Sequence, residues 1–145
     1  MRSVPLIAGL VIAVSPLARP ASADEQLLFA TNCAVCHQLD GSGIAGLAPP
    51  LKGDVWQRLD AHAGVYFAGV MLRGLAGVPL DGQSYTAAMP PWAHLSDADL
   101  AAIGSFVLRR LNGAERGLDA ATVAEARAAN RDDAALSALR AESGS

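Results

Sequence analysis

Both cysteines of this 145-residue chain fall within five consecutive residues, Cys33-Ala34-Val35-Cys36-His37. No other feature limits the possible folds as strongly. Two thiols three positions apart reach one edge of a porphyrin and add across its two vinyl groups, forming thioethers. A histidine directly after the second thiol then lies under the iron. Cys33 and Cys36 are therefore the candidate attachment points, His37 is the candidate axial ligand, and one covalent haem c is the expected cofactor. The rival readings explain less. A disulfide suits an exported protein but leaves His37 without a role. A thioredoxin-like pair needs a β-α-β setting, and no strand-rich stretch is present. A zinc site needs a fourth ligand, which His62 or His94 would have to supply.

Composition agrees with a cofactor in the core. The apolar fraction is 52%, but aromatics are only 5% and Gly alone counts 14, so large core side chains are scarce. A haem adds the apolar surface that the chain lacks.

The first residues read as a leader. Arg2 gives a charged start, Val4 to Val14 is apolar apart from Pro5 and Gly9, and Ala21-Ser22-Ala23 is a small-residue cleavage site before Asp24-Glu25. That pattern predicts a signal peptide over 1–23. An uncleaved anchor is the alternative, but the run is short for a span of about 20 residues. No other segment is long and apolar enough to cross a bilayer. Loss of Arg2 and Arg19 makes the formal charge of −3 more negative by two. An acidic chain whose one lysine is Lys52 is a poor nucleic-acid binder.

The remainder divides into a domain over 24–112 and an extension over 113–145. A short helix is expected over 24–32, with Leu27, Leu28 and Ala30 as its apolar stripe. Gly41 to Gly53 reads as loop. Helical spacing returns over 54–74 through Val55, Leu59, Val65, Tyr66, Val70 and Leu72, with Gly64 and Gly69 as points where it splits. Gly74 to Pro91 is again loop. Ser96-Asp97-Ala98-Asp99 opens a helix by capping its first free N–H groups. That helix runs to about Leu111, burying Leu100, Ile103, Val107 and Leu111, and Asn112-Gly113 ends it. Gly104 inside it costs roughly 1 kcal/mol relative to Ala, which points to a close approach by another helix. The Ala-rich extension has helical stretches at 122–130 and 133–141, few large apolar residues, and is expected to pack loosely or fray. The fold class is all-α.

Several motifs together resemble the class I, mitochondrial-type cytochrome c family. They are Phe29 ahead of the cysteines, the C-A-V-C-H run itself, Ala48-Pro49-Pro50-Leu51-Lys52-Gly53, Gly82-Gln83-Ser84-Tyr85, Ala88-Met89-Pro90, and Leu95-Ser96-Asp97 at the last helix of the domain. The resemblance covers about 24–112 and implies a small cytochrome c fold wrapped round one haem. It also implies Met89 as the sixth iron ligand, and Pro49 or Pro50 as the carbonyl that accepts from the ligating His37. Met71 lies in an apolar helical stretch and reads as packing; His62 and His94 are lesser alternatives for the ligand. Glu25 departs from the family, which commonly has glycine where the first and last helices cross. Gly104 is a candidate for restoring the clearance.

Trp56 and Trp92 are candidates for the haem surroundings, with an indole N–H offered to a propionate. Tyr66, Phe67 and Leu72 are candidate walls, and Arg58 and Arg73 either face propionates or lie in solvent. Thioether ligation would fill the iron's open position and stabilise the ferrous state, which suits electron transfer rather than catalysis. The expectation is an exported, periplasmic electron carrier or the haem subunit of a dehydrogenase. Its redox partners would be a periplasmic dehydrogenase, or a terminal oxidase or reductase. The stretch from Gly74 to Tyr85 and the Val123 to Arg127 region resemble cytochromes that accompany alcohol or related dehydrogenases, and that resemblance implies the dehydrogenase association. The alternative is a haem protein with an open sixth site, binding ligands or acting on peroxide.

Overall fold

A computed structural model of the chain describes residues 21–142. The expected leader lies outside the described residues, apart from its last three positions at the start of the first helix. The elements are α1 (Ala21–Asn32), α2 (Ala34–His37), α3 (Val55–Leu59), a 3-10 turn (Asp60–His62), α4 (Ala63–Arg73), α5 (Asp97–Ser105), α6 (Ala120–Ala129) and α7 (Asp133–Glu142). Among the described residues there is no strand, only isolated bridges at Ile44–Ala48, Leu75–Met89 and Leu80–Gln83. The fold is the all-α one that the spacing predicts. No described helix is long and apolar enough to cross a membrane.

The buried face of α1 differs from the expected stripe. Leu27 is 51% exposed, and Glu25 and Phe29 are buried instead. These two lie one turn apart, so both meet α5 and its continuation. Phe29 packs on Phe106 with ring centroids 4.7 Å apart, and Glu25 pairs with Arg109. A glycine at 25 would allow a close crossing; here an acid fills the position because a guanidinium answers it across the interface.

Ser96 begins α5 as expected. Its hydroxyl accepts from the Asp99 N–H at 3.1 Å and donates to the Asp99 carboxylate at 2.7 Å. The helix does not stay regular to Leu111. Phe106–Leu111 is wound as a π-helix, and the wider turn is followed by Asn112, whose side chain folds back. Asn112 Nδ2 donates to the carbonyls of Val107 and Leu51, and its Oδ1 accepts from Gly53 N–H. One side chain thereby ties the end of this helix to the loop over 41–53. Of the expected buried stripe, Leu100, Ile103 and Val107 are buried, whereas Leu111 is only partly so.

The stretch over 54–74 does split, at Asp60 with φ +42° rather than at its glycines. The glycines have another use. A Cβ at Gly69 would run into Leu136, and one at Gly104 would come within 2.8 Å of the Leu118 Cβ. Gly104 is therefore the seat of a leucine from the extension. The extension packs closely rather than loosely: Leu118, Val123, Ala126 and Leu136 are buried in the same core as Phe29, Leu59 and Leu100. Ser105 fixes the approach by donating to the Leu118 carbonyl at 2.9 Å. Arg127 reaches Asp97 and the carbonyls of Ala93 and Leu95.

Candidate functional site

The helices and loops enclose a largely apolar cavity of about 330 Å³. Cys33, Cys36 and His37 enter it from α2 and its N-cap, Pro49 and Pro50 from the following loop, Trp56 from α3, and Tyr66 from α4. Met89 and Trp92 line it from the loop before α5. The two cysteines, His37, Met89, both prolines, Trp56, Tyr66, Phe67 and Trp92 thus border one space.

Local chemistry explains the arrangement on the α2 side. The His37 N–H is bonded back to Cys33, which makes the motif a single helical turn and brings cysteines and imidazole together. His37 Nδ1 lies 2.9 Å from the Pro49 carbonyl. Of the two prolines considered, Pro49 is the partner. With Nδ1 donating, Nε2 is the unprotonated nitrogen able to hold a metal. Burial lowers the His37 pKa, with the Pro49 carbonyl opposing it, so the neutral ring is favoured. Burial pushes the Cys33 thiol up to about 12, as expected for a sulfur among apolar groups. The two cysteines are not joined as a disulfide.

Met89 is held by its backbone. Its N–H donates to the Leu75 carbonyl at 2.9 Å, and its own carbonyl accepts from the Leu75 N–H at 3.1 Å. Gly74 makes this contact possible: at φ +79° a Cβ there would sit 2.5 Å from the Met89 oxygen. Met71 is buried in α4, consistent with packing, but it too touches the cavity. His62 and His94 are exposed and lie outside the cavity lining, and His94 rests against Trp92 at 5.6 Å between ring centroids. Among the described residues no cluster of three His, Cys, Asp or Glu side chains forms a metal cage.

Aromatic packing builds the wall at Trp56. Its ring lies 5.3 Å from Phe67 and 6.4 Å from Tyr66, centroid to centroid. Its buried Nε1 has no hydrogen-bond partner among the described residues. Leu72, expected as a wall, is not among the lining residues and packs against the core. Arg58 and Arg73 lie near Asp81 and Asp133, at 3.7 Å and 2.8 Å. Sequence reasoning missed Arg140, which reaches the cavity from α7. The only signal for it was the spacing of Leu136 and Arg140, one turn apart on a short amphipathic helix.

A family model for cytochrome c matches residues 23–110. A cytochrome c-552 of Thermus thermophilus is 40% identical over 85 residues, 57% of this chain and 57% of the relative. A second cytochrome c-552 from the same species is 40% identical over 83 residues, 56% of this chain and 63% of the relative. The cytochrome c subunit of a quinone alcohol dehydrogenase from Gluconobacter oxydans is 32% identical over 81 residues, 55% of this chain and 16% of the relative. The chain spans less than two thirds of each of these relatives. The matched span contains the cysteine–histidine turn, the Pro49 carbonyl that orients it and the Met89 loop, and on that match the chain belongs to the cytochrome c family, the electron carriers that hold haem c covalently.

Proposed function

We propose that this chain is a periplasmic one-electron carrier whose haem iron is held by His37 and Met89. The observation that carries the reading is that Cys33, Cys36, His37 and Met89 all border one apolar cavity, with both ligand residues pinned by neighbouring backbone. The surroundings fit the group. The walls are apolar, and the buried Trp56 Nε1 is a donor that lacks an acceptor among the described residues, as expected beside a carboxylate of the cofactor. When bound, a haem would supply a one-electron ferric–ferrous couple, and ligation by the Met89 thioether would raise its potential.

The chain's own residues do the rest. Cys33 and Cys36 anchor the group, and Pro49 keeps His37 in the tautomer that ligates through Nε2. The Leu75 bridge keeps the Met89 sulfur on a short tether, so change of oxidation state requires little rearrangement. Phe67, Met71 and Trp92 exclude water, which disfavours the charged ferric form. The leader pattern over 1–23 and the attachment motif support export to the periplasm. Val35, 80% exposed between the two cysteines, and Leu39, 67% exposed, give a redox partner an apolar approach beside the motif. A cytochrome c subunit of an alcohol dehydrogenase among the relatives favours a dehydrogenase as donor, with a terminal oxidase or reductase taking the electron onward.

The test is the visible spectrum of periplasmically expressed protein, wild type and Met89→Ala, in both oxidation states. The ferric wild type should show the weak far-red charge-transfer band of thioether ligation, and the variant should lose it and bind carbon monoxide when reduced. A wild type that lacks the band and binds carbon monoxide would establish an open sixth site, and the carrier reading would fall.

A further inference from the structure

The extension over 113–145 lies beyond the span that matches the family model, yet it reaches the haem cavity. Helix α7 runs antiparallel to α4 along three rungs, each about one turn apart. Arg73 pairs with Asp133 at 2.8 Å, Gly69 receives Leu136, and Tyr66 meets Arg140. Leu136 is 1% exposed. Its burial against a glycine fixes both the rotation and the register of α7, and the residue one turn later is thereby directed inward. That residue is Arg140, whose side chain is only 17% exposed.

Its surroundings are rich in hydrogen-bond donors. The guanidinium carbon lies 5.7 Å from the centre of the Tyr66 ring, and Nη1 donates to the Tyr66 hydroxyl at 3.4 Å. Nη2 donates to Asp81 at 2.7 Å. Asp81 is 59% exposed and also faces Arg58 at 3.7 Å, so this contact of Arg140 is with a well-solvated carboxylate. Arg140 and Tyr66 both line the haem cavity, as does Trp56, whose ring packs on Tyr66. Three donor groups therefore gather on one part of an otherwise apolar lining. A haem is apolar except for its two carboxylates, which lie away from the edge that the thioethers fix.

We propose that Arg140 is an anion-pairing residue of the haem site: the C-terminal helix delivers it to a haem carboxylate, and its charge raises the reduction potential. The inference rests on the haem reading above. The physical reason is Coulombic. A cation held in a poorly solvated place disfavours the more positive ferric state, and it offsets the carboxylate that would stabilise that state.

The experiment is a spectroelectrochemical titration of the haem-loaded protein at fixed pH and ionic strength. Wild type, Arg140→Gln, Arg140→Lys and Asp81→Asn are compared, each with its thermal midpoint and its far-red band. Arg140→Gln should move the ferric-to-ferrous ratio at a given poise toward ferric by roughly three- to tenfold, tenfold being about 59 mV for one electron. Arg140→Lys should recover most of that shift, and Asp81→Asn should shift the ratio toward ferrous. An Arg140→Gln protein with the wild-type potential and a lowered thermal midpoint would make Arg140 a mere staple between α7 and the rest, and would overturn the proposal. A wild type with no thioether-bound haem would instead sink the reading on which the proposal rests.

Discussion

At the scale of single residues, the site depends on backbone contacts that leave little freedom. Gly74 shows this best. Its φ of +79° with ψ −177° belongs to a region that only glycine occupies without strain of about 1–3 kcal/mol. Its missing Cβ also lets the Met89 carbonyl approach. Gly74→Ala therefore has two costs, and both fall on the loop that carries the proposed sixth ligand. The expected outcome is a chain that still attaches haem through Cys33 and Cys36 but loses stability by about 2 kcal/mol. Its far-red band should bleach at lower denaturant than the wild-type band does. Retention of the wild-type bleaching midpoint would show that Leu75 and Gly74 do not hold Met89 in place. This dependence could not be read in the sequence, where Gly74 marked only the boundary between a helical stretch and a loop. Cys33, Cys36 and His37 were legible because their chemistry needs only five adjacent residues. Met89, which the family resemblance singles out by a methionine before proline in a loop, does lie at the cavity.

At the scale of elements, the helices were legible and several of their faces were not. The limits of α6 and α7, and of α5 taken together with its π-wound continuation to Leu111, agree with the expected ones to within a few residues, because caps, proline and apolar spacing are local signals. The partner of each face is set by residues far away in sequence. The Leu27–Leu28 stripe was preferred in α1 because it is apolar, yet Phe106 and Arg109 select Phe29 and Glu25. Gly69 looked like a weak point in its helix and Gly104 pointed to a close approach, but nothing nearby announces that Leu136 and Leu118 occupy the space. A substitution with a diagnostic sign follows. In a solvent-facing helix, Gly104→Ala would stabilise by roughly 1 kcal/mol through helix propensity. Here the added methyl collides with the Cβ of Leu118, an atom that cannot swing aside. Overpacking of this kind costs about 1–3 kcal/mol, so Gly104→Ala should be destabilising in chemical denaturation. A stabilised Gly104→Ala would mean that Leu118 is not seated against α5. Pairing Gly104→Ala with Leu118→Ala should recover part of the loss, because the two substitutions act on one contact.

At the scale of the whole molecule, the question is whether the extension is an appendage or part of the structure. A sparsely apolar, Ala-rich stretch reads as an appendage when its residues are counted. Counting fails because so few residues carry the attachment: Leu118, Val123 and Leu136 are all buried, and the last two are no more than 1% exposed. Three well-placed apolar side chains contribute more than many half-buried ones, since each is worth about 1.5–3 kcal/mol when fully buried. The ion pair of Arg73 and Asp133, with both side chains more than 40% exposed, adds little by comparison. Such an extension should unfold together with the haem domain. Heating the wild type should give one transition, with far-ultraviolet circular dichroism and the haem absorbance changing at the same temperature. A chain ending at Asn130 keeps Leu118 and Val123 but loses Leu136 and α7. It should retain its thioether haem, keep a single transition, and be less stable by about the 2–5 kcal/mol typical of losing a buried leucine. The single substitution Leu136→Ala should reproduce most of that loss with the full chain present, which separates the effect of one side chain from that of removing a helix. If the shortened chain instead melts at the wild-type temperature, α7 is an independent tail, and the burial of Leu136 contributes nothing to holding the molecule together.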